Sequence, residues 1–293
     1  MIYDVLIVGS GPAGLSAAIY TSRAGLSTYI IGGMEEGGLV STAGRIDNYL
    51  GMPSMNGVMM VENFVEHAQQ FGAELNDDML TVTSIDKDEE KNIFITTVDN
   101  GDTFTSKTVI FTAGSSPRKL QIEGEDMEGV SYCATCDGTF FEDEPVVLIG
   151  GGETAAEEAL YMSHLADKVT VLIRGDQWRA SEPAVQSLLE QENVEVRMNT
   201  SVQAIQGNGR VDSVLLNNGE TLDTRGVFVA IGQLPNSETA KPHTTVFENG
   251  FIAKSNVEGF YVAGDIRNPD HRQIIIAAGD GAKAGIDVTR FLQ

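Results

Sequence analysis

The chain has two cysteines among its 293 residues, Cys133 and Cys136, and Asp137 follows them directly. In a reducing compartment, such a pair is more often redox-active or metal-binding than structural. A short Cys-x-x-Cys loop opens and closes a disulfide with little backbone movement, and the thiolate is its reactive form. A neighbouring carboxyl group can carry protons to and from the leaving thiolate. The segment therefore predicts dithiol–disulfide chemistry with Cys133, Cys136 and Asp137 as catalytic residues.

Two other interpretations of the cysteine pair stay open at this point. A zinc site would need two further ligands, and the four histidines are scattered along the chain. A buried, unreactive thiol pair would need no further residues. The small residues Ala134 and Thr135 between the cysteines favour redox chemistry, and we expect no bound metal.

Two glycine-rich segments of similar design must position this pair. The segments "VLIVGSGPAGLSAA" (5–18) and "VVLIGGGETAAEEA" (146–159) each contain an apolar run, Gly-x-Gly-x-x-Gly/Ala and a helix-forming stretch. This is the strand–turn–helix of a dinucleotide-binding unit, whose glycines permit a tight turn and close approach to a pyrophosphate. One copy alone is weak evidence, whereas two copies predict two nucleotide sites. The predicted cofactor-binding residues are Gly9, Gly11, Pro12, Ala13 and Gly14 in the first copy, and Gly150, Gly152, Glu153, Thr154 and Ala155 in the second.

The order of the predicted strands indicates that one dinucleotide domain is inserted in the other. A strand at 259–265 lies near the chain end, and the stretch after about 243 is too short to be a domain. We therefore predict an α/β fold of two Rossmann-like, three-layer ββα domains, with crossings near 113–118 and 240–246. The first domain would comprise 1–115 and 244–293, and the second 116–243. A charged turn at 86–92 would join strands of a small antiparallel sheet on the first domain.

A redox dithiol needs an electron source, and two dinucleotide sites can supply one. A flavin in one domain and a nicotinamide in the other would exchange a hydride, after which electrons would reach the cysteines.

The chain resembles the low-molecular-weight (class II) thioredoxin reductases, which are FAD-containing pyridine nucleotide-disulfide oxidoreductases, over essentially its whole length. The matching segments are "GSGPAGLSAAIY", "GVSYCATCDG", "VVLIGGGETAAEEALYMS", "VFVAIGQLPN" and "GFYVAGDIRNPDHRQIIIAAGDG". The resemblance implies a homodimer that binds FAD in the first domain and NADPH in the second, and that reduces thioredoxin or a similar protein. It implies that Cys136 faces the flavin, that Cys133 attacks the thioredoxin disulfide and that Asp137 is the acid–base group. The remaining flavin-side residues that it implies are Asn48, Ala113, Gly114, Asp265, Arg272, Gln273 and Ile274.

The segment "IRGDQWR" (173–179) departs from the family, which has His-Arg-Arg followed three residues later by Arg. Ile173 and Gly175 replace the His and the second Arg, while Arg174 and Arg179 remain as the candidate NADPH-binding cations. A 2′-phosphate is bound best by several guanidinium groups. NADH sites usually carry a carboxylate at this strand end, where this chain has Ile173. NADPH is the expected donor, with NADH or ferredoxin as alternatives.

The net charge of −23, from 42 acidic and 19 basic side chains, restricts the classes of molecule that the protein can bind. Such a surface repels nucleic acid and anionic lipid, and favours a basic or neutral macromolecular partner. Simple solubility or a salty cytoplasm would also explain the charge. The chain lacks an apolar run of ~18 residues, and its N-terminal segment resembles a buried strand rather than a signal peptide. We expect a cytoplasmic protein that binds neither membrane nor nucleic acid.

Two further functions are compatible with the same residues. A dithiol oxidase would pass the electrons to oxygen, and a non-catalytic flavin-binding module would use the cysteine pair for redox sensing. The intact Asp137 and both glycine fingerprints favour the reductase.

Overall fold

The structure is a computed structural model, and it describes residues 1–33, 37–41, 43, 46–76, 79–267 and 271–293. The strands are β1 (Ile2–Val8), β2 (Thr28–Ile31), β3 (Glu74–Leu75), β4 (Val82–Asp88), β5 (Ile93–Val98), β6 (Thr103–Phe111), β7 (Ser115–Pro117), β8 (Val130–Ser131), β9 (Pro145–Ile149), β10 (Lys168–Leu172), β11 (Val194–Arg197), β12 (Val202–Gly207), β13 (Val211–Leu216), β14 (Thr221–Asp223), β15 (Gly226–Val229), β16 (Gln233–Pro235), β17 (Thr244–Val246), β18 (Ile252–Ser255) and β19 (Phe260–Val262). The helices are α1 (Pro12–Arg23), α2 (Gly57–Gln70), α3 (Ala134–Asp137), α4 (Glu153–Ser163), α5 (Glu182–Leu189) and α6 (Ile274–Leu292).

The chain forms two compact units, one made of Met1–Ser116 and Leu234–Gln293, the other of Pro117–Gln233. In the first unit, β3, β2, β1 and β6 form a parallel sheet, and β19 also pairs with β6 in parallel. The N-terminal part of β6 pairs antiparallel with β5, which pairs in turn with β4. The predicted antiparallel pairing is thus confirmed, but these strands continue the parallel strands through the long strand β6 in one seven-stranded sheet instead of forming a separate sheet.

The second unit repeats this plan on a smaller scale. Its strands β11, β10, β9, β15 and β8 form a parallel sheet, and β12, β13 and β14 form a separate antiparallel sheet. The residues of β9 and β15 are almost entirely buried and apolar, as expected of parallel strands that are covered on both faces. Two Rossmann-like domains, one inserted in the other, are therefore the architecture, as the sequence predicts.

The chain returns to the first unit at Gln233–Leu234, whereas the sequence analysis placed this crossing at 240–246. The reason is His243, which belongs to a 3-10 helix and is buried in the first unit. Its Nε2 lies 2.7 Å from the carbonyl oxygen of Ile85, and its ring stacks on Phe260. The polar, proline-containing composition of this stretch indicated a linker, because sequence composition does not show which polar residue is buried.

Helices α1 and α6 of the first unit pack with their backbones close together. An added Cβ at Gly281 would lie 1.9 Å from the carbonyl oxygen of Ala13, and one at Gly285 would lie 2.8 Å from that of Ala17. Small residues on both helices make this approach possible, and it brings α6 against the first glycine fingerprint.

We predict opposite effects for two alanine substitutions on α6. Gly281→Ala should lower the free energy of unfolding by about 1–3 kcal/mol, because the new methyl group overlaps the α1 backbone. Gly279→Ala is the matched control: its Cβ would meet nothing within 4 Å among the described residues, so the better helix former should stabilise by up to ~1 kcal/mol. Thermal unfolding of both variants tests this, and equal shifts of the two midpoints would contradict the close packing.

Candidate active site

The two cysteines form a disulfide at the start of α3. Cys133 is half-buried and Cys136 is exposed, and their Cα atoms are 5.3 Å apart. The backbone N–H groups of Cys136 and Asp137 both donate to the carbonyl oxygen of Cys133, at 3.2 and 3.1 Å. The loop therefore forms one helical turn that holds both sulfur atoms at the surface of the second unit.

The carboxylate of Asp137 is held by a residue that sequence reasoning missed. Ser131 Oγ donates to Asp137 Oδ2 at 2.6 Å and accepts from the N–H of Cys133 at 3.1 Å. Ser131 is buried at the end of β8, so it fixes the acid beside the disulfide. A cleft of about 190 Å³, lined in part by Asp137, Phe140 and Arg210, opens at this point.

The loop is anchored at both of its ends. An added Cβ at Gly138 would lie 2.7 Å from the sulfur of Met162, so the loop packs directly on α4. On the other side, the hydroxyl of Tyr132 donates to Glu125, whose carboxylate also accepts from the N–H of Gln121 at 2.8 Å. Burial opposes the charge of Glu125, but these hydrogen bonds outweigh it and hold the pKa of the carboxyl below its ordinary value. The cysteine loop thus has a fixed position within its unit.

In the first unit, the predicted flavin-side residues gather at one edge of the parallel sheet. The first fingerprint, Ala113–Gly114 and Asp265 follow β1, β6 and β19, which are neighbours in the sheet. Ligands bind at the carboxyl ends of strands in such sheets. Asn48 Nδ2 donates to Gln273 Oε1 at 3.1 Å, although 225 residues separate them. Ile274 is the first residue of α6.

Backbone and side-chain geometry at this edge fit a dinucleotide with hydroxyl groups. An added Cβ at Gly14 would lie 1.9 Å from the carbonyl oxygen of Gly9, whereas among described residues one at Gly11 would approach only an oxygen 3.9 Å away. Asp265 is largely buried, and its Oδ1 finds no hydrogen-bond partner in the described part of the chain. Burial raises the pKa of Asp265, and the nearby charge of Arg272 opposes that rise. A buried acceptor of this kind needs a donor, which a ligand hydroxyl would supply.

The second fingerprint has the same shape. An added Cβ at Gly150 would lie 2.4 Å from the carbonyl oxygen of Ala230, and Ala155 is fully buried against the strand. At Gly152, a Cβ would meet no described atom within 4 Å. Thr154 is exposed beside it in the first turn of α4. The open backbone at Gly152 is the place where a pyrophosphate can approach.

Glu153 was predicted to bind the cofactor, but in the structure it contacts the start of α5. Its carboxylate accepts from the N–H and the hydroxyl of Ser181, at 2.6 and 2.7 Å. These hydrogen bonds lower the pKa of Glu153. Its side chain therefore joins two helices of the second unit.

The two candidate NADPH-binding arginines are exposed, whereas the isoleucine that replaces the family's His is buried. Arg174 and Arg179 are exposed, so their guanidinium groups are available to a ligand. Ile173 is buried, and an added Cβ at Gly151 would lie 2.9 Å from its Cγ2. Ile173 therefore packs on the fingerprint and offers a nucleotide no polar group.

The described residues contain no cluster of three or more His, Cys, Asp or Glu side chains arranged to hold a metal ion. None of their helices combines the length and apolar character needed to cross a membrane.

Two dinucleotide-binding folds and a surface Cys-x-x-Cys disulfide together define a disulfide oxidoreductase. Residues 3–281 match the model of the pyridine nucleotide-disulphide oxidoreductase family. Thioredoxin reductase from Bacillus subtilis is 38% identical over 307 residues, covering 100% of this chain and 95% of that protein. The enzyme of the same name from Peptoclostridium acidaminophilum is 36% identical over 312 residues, covering 100% and 98%.

Solved structures give the same result. The crystal structure of thioredoxin reductase from Streptococcus pyogenes is 34% identical, with a TM-score of 0.90 and coverage of 99% of this chain and 98% of that one. The thioredoxin reductase from Giardia duodenalis is 31% identical, with a TM-score of 0.91 and the same coverage. The chain therefore belongs to the pyridine nucleotide-disulphide oxidoreductase family and is similar to its low-molecular-weight thioredoxin reductases.

Proposed function

We propose that this protein is a thioredoxin reductase that passes electrons from NADPH through FAD to the Cys133–Cys136 disulfide and then to thioredoxin. The observation that carries the proposal is the disulfide with Asp137 held beside it by Ser131. The full-length similarity to thioredoxin reductases supports the same activity.

FAD fits the first unit. Gly11 leaves the backbone open to a pyrophosphate, and the buried Oδ1 of Asp265 would accept a hydrogen bond from a ribitol hydroxyl. Asn48 and Gln273, joined by their side-chain hydrogen bond, would lie along the flavin together with Arg272. When bound, the flavin supplies a two-electron carrier between the nucleotide and the disulfide.

The cysteines and Asp137 would divide the chemistry among them. Two electrons break the S–S bond, and Asp137 gives a proton to one of the sulfur atoms that are released. The thiolate of Cys133 then attacks the disulfide of thioredoxin and forms a mixed disulfide. Attack by Cys136 re-forms the Cys133–Cys136 bond and releases thioredoxin as a dithiol, which takes one proton from the Cys136 thiol and one from solvent.

NADPH is the proposed donor for the second unit. The open backbone at Gly152 would take the pyrophosphate, and the exposed Arg174 and Arg179 would bind the 2′-phosphate. The buried Ile173 removes one polar contact that the family signature provides, so this site has fewer groups for the 2′-phosphate.

We further infer a cytoplasmic homodimer. A disulfide that is reduced in every turnover needs a compartment with reduced nucleotide. Exposed apolar side chains on α2, including Val58 and Met59, support a subunit contact on the first unit. The net charge of −23 opposes binding to nucleic acid or anionic membranes.

We predict that Cys133→Ser abolishes thioredoxin reduction and leaves flavin binding intact, because the nucleophile toward thioredoxin is lost while the first unit is unchanged. Flavin absorbance of the purified variant and NADPH-dependent reduction of thioredoxin measure the two properties. Ser22→Ala is the matched control, because Ser22 is buried in α1 of the first unit, and it should keep normal turnover. Normal turnover of the Cys133 variant would refute the assignment, and peroxide release without thioredoxin reduction in the unmodified protein would indicate an oxidase.

We also predict that Arg174→Ala and Arg179→Ala each raise the apparent Kd for NADPH by roughly tenfold and change that for NADH by less than about twofold, since each removes one charge-assisted contact to the 2′-phosphate. Anaerobic stopped-flow reduction of the flavin by each nucleotide is the measurement. Arg225→Ala is the control, because Arg225 is a cation of the second unit that pairs with Asp212 at 2.7 Å. If both nucleotides were affected equally, the 2′-phosphate assignment would be wrong.

A further inference from the structure

A buried carboxyl group lies against the cysteine loop and takes no part in the chemistry described so far. Glu158 belongs to α4, the helix on which the loop packs through Gly138 and Met162. The backbone N–H of Ala134 donates to its carboxyl group. Ala134 lies between the two cysteines and is itself fully buried.

The other carboxyl oxygen of Glu158 is not satisfied. Its Oε2 is buried and has no hydrogen-bond partner among the described residues. The surrounding cluster is apolar and includes Ala155, Ala159 and Met162. An ionised carboxylate in such surroundings is expensive, so this position is chemically unusual for a purely structural residue.

The surroundings of this carboxyl group raise its pKa toward neutrality. Burial raises the pKa of Glu158 to about 7, the N–H of Ala134 opposes the rise, and the charge of Glu157 adds to it. Other charged groups on the elements that pack on α4 do not add to this. Asp137 on α3 is hydrogen-bonded to Ser131. Glu182 on α5 and Lys168 on β10 are exposed, and β9 carries no charged residue.

We propose that Glu158 is a positioning residue for the Cys133–Cys136 couple. Its carboxylate fixes the backbone between the cysteines while the disulfide is intact. Its negative charge opposes formation of a thiolate on the same loop after the disulfide has been reduced.

The effect on the redox couple depends on pH for a simple reason. Reduction adds two electrons and breaks the S–S bond, and the two sulfur atoms take up two protons if both become thiols, or one if a thiolate remains. An ionised Glu158 disfavours the thiolate by like-charge repulsion. Below about pH 7 Glu158 is mostly neutral and the repulsion disappears. The influence of Glu158 therefore grows as the pH rises through neutrality.

The test compares FAD-loaded wild type with Glu158→Gln, which keeps the shape of the side chain but carries no charge. Glu157→Gln is the matched control, because Glu157 is the exposed neighbour on the same helix. Each reduced protein is alkylated with iodoacetamide from pH 6 to pH 9, and each cysteine is read separately by peptide mass spectrometry. The oxidised and reduced forms are also equilibrated with glutathione buffers at pH 6 and pH 8.5.

For Glu158→Gln, we expect the alkylation profile of the more reactive cysteine to move about one unit to lower pH. At pH 8.5 the glutathione equilibrium should favour the dithiol roughly tenfold more than in wild type, and at pH 6 the two should agree within about twofold. Glu157→Gln should stay close to wild type at both pH values.

An unchanged alkylation profile would overturn the proposal. The same change in the glutathione equilibrium at pH 6 and pH 8.5 would also overturn it, because an effect of the Glu158 charge must disappear at the pH where Glu158 is neutral. Flavin absorbance and thermal unfolding of each variant confirm that it is folded. The inference rests on the proposed function in treating the pair as redox-active, but neither measurement contains thioredoxin or a nicotinamide nucleotide. A negative result in these two experiments therefore leaves the proposed reductase activity untouched, because that activity is tested only by NADPH-dependent reduction of thioredoxin.

Discussion

Both units depend on the same constraint, the close approach of a helix N-terminus to the end of a buried parallel strand. In the first unit this approach leaves no room for a Cβ at Gly14, which would lie 1.9 Å from the carbonyl oxygen of Gly9. In the second unit Ala155 takes the place of Gly14, and an added Cβ at Gly150 would lie only 2.9 Å from the Cβ of Ala155. The middle glycine of each fingerprint is open instead, so the backbone N–H groups of the helix can face a pyrophosphate.

The proposed redox site of the second unit uses the same helix as its proposed nucleotide site. Helix α4 begins at the second fingerprint, and further along it supports the cysteine loop through Met162 and Glu158. On the opposite side, Glu125 holds Tyr132, the residue before the first cysteine. A loop fixed in this way exposes a disulfide at the surface while the acid beside it keeps one orientation.

The sequence was most informative where a local pattern has one structural solution. The glycine spacing predicted both strand–turn–helix units, and the apolar runs predicted the strands β1, β6, β9, β15 and β19. The side-chain contact between Asn48 and Gln273 was not itself predicted, although both residues were assigned to the flavin side. Such a contact depends on how distant segments meet at the sheet edge.

What the sequence could not show is which polar side chains are paired with each other and which of them are buried. Ser131 has no motif that marks it as the partner of Asp137. Of the two adjacent glutamates, Glu157 is exposed, whereas Glu158 is half-buried with a buried carboxyl oxygen. Glu153 lies in the second fingerprint, where it was predicted to bind the cofactor, yet its carboxylate accepts a hydrogen bond from Ser181. The second crossing was misplaced because His243, in a polar stretch, is buried.

The electron relay through the disulfide is tested most directly by an anaerobic titration of the FAD-loaded protein with dithionite, with flavin absorbance and free thiols followed together. If the flavin and the Cys133–Cys136 pair exchange electrons, full reduction will take about four electrons per chain, two for each centre, and two thiols will appear. Complete bleaching of the flavin after about two electrons, with the disulfide still intact, would contradict the relay.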